Sequence, residues 1–474
     1  MDDKKINEVE NCLKKGDYFK ALTVLKKLKK HNKNFLIDWY LGHSYFKLHK
    51  YFNAIDHIKK FIKLKSKDPL NLNFLGELYL ETNDHVQAKK MFENVLELDG
   101  DNKSAYLNLA KINLNQGKVK ESINIYKKLL EKDPLNYSYH YSLLKLDDQY
   151  LSAKLTEKII SDFSKLSVNN KIYSKLILAK KDEIEKNYSS EIKNLTDAHK
   201  AYFELTQRAA NQQFKFYTDF LLNFIEDKKQ LNLKISSKFA PIFVMGLPRS
   251  GTTLVEKIIV SGENKIQSLG ETDVFDKIFF SNQVINNYKN KFTKSNLEFL
   301  QKEIVNQYRF QGLKENTINF TDKSISNFLY IEFISKIFPK AKFIYCYRNP
   351  VSNIVGMLRA FLPNIFWSHS LEKIFKMCDL YYQKLDKIKK DNSNNLHIVS
   401  LEELSSKPEL ISKKLYEYLD LKWSKKCLDK NDDLIFKTAS NLQVRDKIKE
   451  HNLSHVPQFL KIFSDMGFDY KWLR

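Results

Sequence analysis

The chain has 474 residues, of which 43% are hydrophobic and 13% aromatic, so it is long and apolar enough to bury two or more cores. Its net charge of +22 suits an acidic ligand. The aromatic residues of 201–222 are not interleaved with arginines, which argues against a nucleic-acid partner. Four separated cysteines without a C-x-x-C pair argue against disulfides and a metal site, and no apolar run approaches a membrane span. We therefore expect a cytoplasmic protein with no metal and no membrane span.

Residues 1–150 carry a repeat of 34 residues, marked by small residues inside apolar stretches at Gly42, Gly76 and Ala110. A second series of small residues has nearly the same period: Ala21, Ala54, Ala88 and Ser122. Two small positions per 34 residues are typical of tetratricopeptide (TPR) repeats, in which paired helices cross closely. Asp68–Pro69 and Asp133–Pro134 are expected to end the second helices of their pairs. The pattern predicts an all-α solenoid whose concave face docks a peptide or another protein.

Residues 151–235 read as a helical linker that includes a degenerate TPR-like hairpin at 171–205, where Glu191 stands at a small position. Within 236–474, apolar runs alternate with amphipathic segments. The apolar runs predict strands at 241–246, 318–321, 341–348 and 396–400. This alternation predicts an α/β domain with a parallel sheet, which binds ligands beyond the carboxyl ends of its strands.

The octapeptide from Gly246 to Thr253 follows the first of these strands and opens a helix. Its glycines allow the backbone to curl around an anion, and the helix start adds unpaired N–H groups. The spacing is that of a nucleotide-triphosphatase loop, G-x-x-x-x-G-K-[ST], but Thr252 replaces the lysine. This favours a single 5′-phosphate over Mg-ATP, because γ-phosphoryl transfer uses that lysine and acidic metal ligands.

The sequence Pro-Arg-Ser-Gly-Thr-Thr resembles the 5′-phosphosulfate loop of P-loop-type sulfotransferases that use 3′-phosphoadenosine 5′-phosphosulfate (PAPS). The resemblance is greatest to the tyrosylprotein type and to its bacterial relatives with TPR repeats. It implies PAPS as sulfuryl donor and no metal. It also implies a set of donor-binding residues: Arg249, Ser250, Gly251, Thr252, Thr253 and Arg348.

Three residues match catalytic positions of the resembled family. Glu271, in Leu-Gly-Glu-Thr, matches the glutamate that deprotonates the acceptor hydroxyl. Lys323, in Thr-Asp-Lys-Ser, matches the lysine that neutralises the leaving group. Ser440 matches a serine that helps hold the transition state. The resemblance thus assigns a base and two groups that stabilise the departing charge.

Arg348 ends a predicted strand and matches the arginine that forks onto the 3′-phosphate. Gly356 departs from the family, which has a serine there, and Ser352 and Arg359 are two candidates to take the place of that serine. Later, Asn452 and Val456 replace the usual serine and tryptophan of the segment that covers the donor.

We interpret the chain as a PAPS-dependent sulfotransferase acting on a hydroxyl group of a protein tyrosine, a glycan or a small alcohol. The TPR array is expected to dock the acceptor or a partner protein. Two alternatives stay open. The first is a catalytically weak pseudoenzyme that serves as a TPR scaffold, and the second is a phosphate-loop kinase that needs ATP and magnesium.

Overall fold

The computed structural model describes residues 2–31, 34–64, 68–222, 235–262, 265–280, 293–391, 396–429 and 448–474. Contacts group the chain into two compact units. The first consists of Met1–Asn113, Thr272–Lys291 and Glu298–Thr317, and the second of Leu114–Glu271, Phe292–Leu297 and Ile318–Arg474. The division into a 1–150 array, a 151–235 linker and a 236–474 catalytic domain stays a prediction about the modules of the chain.

The amino-terminal part is helical, as the repeat predicts. In chain order its helices are α1 (Asp2–Lys14), α2 (Tyr18–His31), α3 (Leu36–Lys47), α4 (Tyr51–Leu64), α5 (Pro69–Glu81), α6 (His85–Leu98), α7 (Lys103–Asn115) and α8 (Val119–Lys132). Successive helices pack as pairs, α1 with α2, α3 with α4 and α5 with α6. A Cβ atom on Gly42 would lie 2.5 Å from Ile58 of α4, and one on Gly76 would lie 2.6 Å from Phe92 of α6. The glycines therefore allow each helix pair to cross closely.

Replacement of Gly76 by valine is expected to destabilise the first unit by about 1–3 kcal/mol, because the new side chain overlaps the fully buried ring of Phe92. Denaturant unfolding of the full chain measures this loss. Gly100→Ala is the control, since its Cβ would come no nearer than 3.8 Å to its surroundings. Equal stability of the two variants would show that the close crossing at Gly76 is unimportant.

The two Asp-Pro pairs do not act alike. Asp133 caps the carboxyl end of α8, as expected. Asp68 instead begins a helix: its side chain accepts a hydrogen bond from the Leu70 N–H, and Pro69 is the first residue of α5. The expectation that this pair ends the preceding helix is wrong. Proline has no backbone N–H, but the N–H groups of the first turn of a helix have no partner within the helix, so proline is well tolerated at the first helical position.

The second unit contains α9 (Tyr137–Leu146), α10 (Ala153–Asp162), α11 (Val168–Ile184) and α12 (Tyr188–Lys215). Helices α11 and α12 form the hairpin expected at 171–205. Glu191, at the expected small position, is fully buried, and its carboxylate accepts two hydrogen bonds from the Arg359 guanidinium at 2.6 and 2.9 Å. The hairpin is thus fixed to the sheet domain through this pair.

The sheet is parallel and five-stranded, with order β2-β3-β1-β4-β5. Its strands are β1 (Ile242–Gly246), β2 (Gln267–Ser268), β3 (Phe320–Asp322), β4 (Lys342–Tyr347) and β5 (Leu396–Ser400). The two-residue β2 was not predicted; the other four agree with the sequence. The parallel sheet and its flanking helices confirm the predicted α/β class.

Helices and short turns alternate with these strands along the chain. In chain order they are α13 (Thr252–Val260), α14 (Val274–Phe280), α15 (Lys294–Phe310), α16 (Ile331–Ile337), α17 (Pro350–Ala360), α18 (Leu371–Asp391), α19 (Leu401–Ser406), α20 (Pro408–Tyr418) and α21 (Val456–Asp465). The chain leaves β1 toward β2 and β3 on one side and later continues to β4 and β5 on the other. The carboxyl end of β1 is therefore a switch point, where open α/β sheets bind ligands.

Candidate active site

The predicted phosphate loop lies at this switch point, between β1 and α13. Gly246 and Gly251 have φ angles of +151° and +95°, a region that favours glycine. A Cβ on Gly246 would lie 2.5 Å from the Cys346 carbonyl oxygen, and one on Gly251 would lie 2.7 Å from Leu401. Both glycines are thus required by conformation and by space, and the predicted strand–turn–helix arrangement is confirmed.

Three residues of the loop carry hydroxyl groups. Ser250, Thr252 and Thr253 are all buried. The Ser250 Oγ atom has no hydrogen-bond partner among the described residues, although Ser250 is only 2% exposed. A buried hydroxyl normally has a partner, so its position next to the first N–H groups of α13 fits an anion-binding cradle.

Residues of helix α17 and at the end of β4 donate hydrogen bonds to backbone carbonyls of the loop. The Asn353 side-chain amide donates to the Pro248 carbonyl at 2.7 Å. The Arg348 Nη1 donates to the Arg249 carbonyl at 3.0 Å. Arg249 has a φ of +68°, an uncommon conformation for a side-chain-bearing residue, and these contacts help to hold it. Sequence reasoning missed Asn353, which no local motif singles out.

The two catalytic candidates on the other side of β1 are in direct contact. Lys323 Nζ lies 2.5 Å from Glu271 Oε1, and the Lys323 backbone N–H donates to the Gly270 carbonyl at 2.9 Å. The lysine side chain is 2% exposed, whereas that of Glu271 is 43% exposed. The arrangement presents a carboxylate to solvent and keeps the ammonium inside the protein.

The two arginines of the predicted donor site lie on the β4 side of β1. A Cβ on Gly356 would lie 2.9 Å from Arg348 Nη1 and 3.5 Å from Arg249 Cβ, so both arginines converge over this glycine. Burial lowers the pKa of Arg249 to about 10, and the neighbouring Arg348 contributes to the lowering. Burial also lowers the pKa of Arg348, which Glu402 partly opposes. This electrostatic conflict is one that a bound anion relieves.

The structure distinguishes the two residues that could take the place of the family's serine at position 356. Arg359 is held by Glu191 and also by Glu183, whose carboxylate lies 3.0 Å from Arg359 Nη1. Ser352 Oγ lies 3.1 Å from His455 Nε2. Arg359 is thus committed to carboxylates, while Ser352 lies next to a residue of the carboxy-terminal segment.

Ser440 lies outside the described residues. Asn452 and Val456 lie within them: the Asn452 side chain accepts a hydrogen bond from the Ser454 N–H at 2.8 Å, and Val456 begins α21.

Among the described residues no cluster of three or more His, Cys, Asp or Glu side chains has the arrangement of a metal site. Within the same ranges no helix has the length and apolarity needed to cross a membrane.

Two parts of the chain match known families. Residues 241–425 match the model of the sulfotransferase family, and residues 79–146 match that of a tetratricopeptide repeat. The first range contains the phosphate loop, Glu271, Lys323 and Arg348. The protein therefore carries a sulfotransferase-family domain, and tetratricopeptide repeats precede it.

Similar proteins are distant. An uncharacterized protein of Aquifex aeolicus (strain VF5) is 29% identical over 222 residues, which is 44% of this chain and 29% of that protein, so this chain spans under a third of that relative. The sulfotransferase domain of the Synechococcus PCC 7002 olefin synthase has 16% identity and a TM-score of 0.30, over 50% of this chain and 98% of that one. A sulfotransferase from Mycobacterium tuberculosis H37Rv has 12% identity and a TM-score of 0.28, over 58% and 91%. The domain assignment rests on the two family matches.

Proposed function

We propose that this protein transfers a sulfuryl group from PAPS to a hydroxyl acceptor. The observation that carries the proposal is the contact between Lys323 and Glu271 beside a glycine-bounded loop. These two residues follow adjacent parallel strands, β3 and β2, so the sheet itself fixes their distance. A carboxylate next to a buried ammonium offers both a proton acceptor and a charge for the leaving group.

The residues of the loop fit the donor. Its backbone curl, the buried Ser250 hydroxyl and the start of α13 suit the 5′-phosphosulfate, which Arg249, Ser250, Gly251, Thr252 and Thr253 would hold. Arg348 would hold the 3′-phosphate. PAPS bound at these residues would supply the sulfuryl group. No metal is needed, because the positive charges of the loop and of Lys323 neutralise the charge of the donor.

The two catalytic side chains divide the work of transfer. Glu271 takes the proton of the acceptor hydroxyl as the new oxygen–sulfur bond forms. The bond between sulfur and the bridging oxygen breaks, its electron pair stays on the 5′-phosphate, and Lys323 neutralises that charge with help from Ser440. The exposure of Glu271 and the burial of Lys323 agree with these roles, since only the base must be reached by the acceptor.

The repeats are proposed to dock the acceptor or a partner protein. Matched pairs of helices in such arrays present a continuous surface and contain no chemistry of their own. The acceptor class covers protein tyrosines, glycans and small alcohols, all of which offer a hydroxyl group to Glu271.

Calorimetric titration with 3′,5′-adenosine bisphosphate, the desulfated donor, tests the choice of donor. The protein is expected to bind this bisphosphate and to bind ATP with magnesium far more weakly, because Thr252 replaces the lysine that grips a γ-phosphate. Tighter binding of Mg-ATP would support the kinase alternative and overturn the proposal.

A further inference from the structure

Glu256, on the second turn of α13, is a buried carboxylate that has no place in the proposed transfer. It is 1% exposed, and its helix neighbours Val255, Ile258 and Ile259 belong to the apolar core of the sheet domain. Burial of a carboxylate is costly unless hydrogen bonds compensate for the lost water. An apolar residue would fill this position of α13 without that cost, so the contacts of Glu256 need a physical reason.

One oxygen atom of Glu256 contacts two neighbouring strands. Its Oε1 accepts a hydrogen bond from the Thr321 hydroxyl at 2.6 Å and another from the Ser268 hydroxyl at 3.0 Å. Thr321 on β3 and Ser268 on β2 are partners in the strand register. Thr321 is fully buried, whereas Ser268 is exposed. A single carboxylate oxygen thus fastens a cross-strand pair to the helix that begins at the phosphate loop.

The two catalytic side chains lie directly beyond this pair of hydroxyl groups. Glu271 is three residues after Ser268, and Lys323 is two residues after Thr321. Backbone hydrogen bonds carry the register from one pair to the other: the Leu269 N–H donates to the Thr321 carbonyl at 3.2 Å, and the Lys323 N–H continues the ladder. The positions of the two hydroxyl groups therefore influence how the base and the ammonium face each other.

Strand β2 has little else to hold it in place. It consists of two residues and stands at the edge of the sheet, with β3 on one side. At its start, the hydrogen bond from the Gln267 N–H to the Asn319 carbonyl is 3.4 Å long, which is longer than most N–H···O hydrogen bonds. Because so short a ladder fixes a strand poorly, the side-chain contact from α13 adds substantially to the hold on β2.

We propose that Glu256 is a positioning residue. It holds the carboxyl ends of β2 and β3 against α13, so that Glu271 and Lys323 face the sulfuryl group of a donor bound at the start of that helix. This inference rests on the proposed function and adds to it a residue that contacts neither donor nor acceptor. The phosphate loop and Glu256 are about one helical turn apart, so one rigid helix aligns the donor with the catalytic pair.

The test measures turnover and donor affinity separately on the full chain. Turnover is ³⁵S transfer from labelled PAPS to a tyrosine peptide, an oligosaccharide and a simple alcohol, and affinity is calorimetric binding of 3′,5′-adenosine bisphosphate. Glu256→Leu keeps the bulk of the side chain but removes the acceptor oxygen. It is expected to lower kcat by about 10- to 100-fold, the effect of a small displacement of catalytic groups, and to change bisphosphate binding less than about threefold.

Two further variants separate the hydrogen bonds from the charge. Glu256→Gln should restore most of the turnover, because its amide oxygen can accept from both hydroxyl groups. Thr321→Val keeps the shape of the side chain and removes the buried hydroxyl, so it should lower kcat without touching Glu256. It tests the same contact if Glu256→Leu does not fold.

Tyr416→Phe is the matched control. It deletes another buried hydrogen bond to α13, from the Tyr416 hydroxyl to the Ile258 carbonyl at 2.7 Å, but this bond comes from α20 and not from β2 or β3. The variant is expected to keep its kcat, even if thermal unfolding shows a loss of stability.

Each other result contradicts a definite statement. Unchanged kcat in a folded Glu256→Leu or Thr321→Val protein overturns the inference and leaves the proposed function intact. The same holds for a loss that Tyr416→Phe shares, that is confined to bisphosphate binding, or that Glu256→Gln does not relieve. An unaltered protein that labels none of the acceptors overturns the proposed function and this inference with it.

Discussion

Replacement of Glu271 by glutamine is expected to lower kcat by about 10²–10⁴-fold and to preserve the affinity for the donor. The amide oxygen still accepts a hydrogen bond from Lys323, so the geometry of the pair is retained, but the amide cannot take the acceptor proton. Steady-state kinetics with saturating PAPS measure the loss.

A matched control for this change is Glu403→Gln, in which an exposed glutamate on α19 is altered in the same way. That variant should keep full turnover. Equal turnover of Glu271→Gln and the unaltered protein would remove Glu271 from the mechanism.

Replacement of Lys323 by alanine is expected to lower kcat by about 10²–10³-fold with a smaller effect on KM. The lysine charge matters most when the bond to the leaving oxygen is partly broken, and its burial makes that charge effective. Separate measurement of kcat and KM for PAPS gives the result.

Lys342→Ala provides the comparison for Lys323, because Lys342 is also a strand lysine paired with a carboxylate, Asp420, at 2.9 Å. It lies at the amino end of β4, away from the ligand edge of the sheet, and its loss should leave kcat unchanged. An effect of Lys323→Ala confined to KM would assign that lysine to donor binding alone.

The sequence predicts those features of the site that local chemistry determines. The loop from Gly246 to Thr253 is recognisable because all of its anion-binding features are adjacent in the sequence: the glycines, the hydroxyl groups and the start of the following helix. Four strands are likewise visible as apolar runs. Glu271 and Lys323 are found individually by their resemblance to a family, and the register of β2 with β3 explains why they meet.

Features that depend on distant segments are not visible in this way. Asn353 holds the Pro248 carbonyl across 105 positions of sequence, and Glu191 holds Arg359 across 168. In the sequence, Glu191 stands at a small position of a repeat that has been lost, whereas in the fold it is a buried carboxylate paired with the half-buried Arg359. The short β2 escapes prediction because two residues carry no periodicity, and its place depends on pairing with β3.

The most direct test of the account is transfer of ³⁵S from labelled PAPS to hydroxyl acceptors: a tyrosine peptide, an oligosaccharide and a simple alcohol. We expect the full chain to label at least one of these classes, with an equal amount of 3′,5′-adenosine bisphosphate released, and we expect Glu271→Gln and Lys323→Ala to label it far more slowly. A folded, unaltered protein that labels none of the three, and so behaves like its own Glu271→Gln variant, would contradict the account and favour the scaffold alternative.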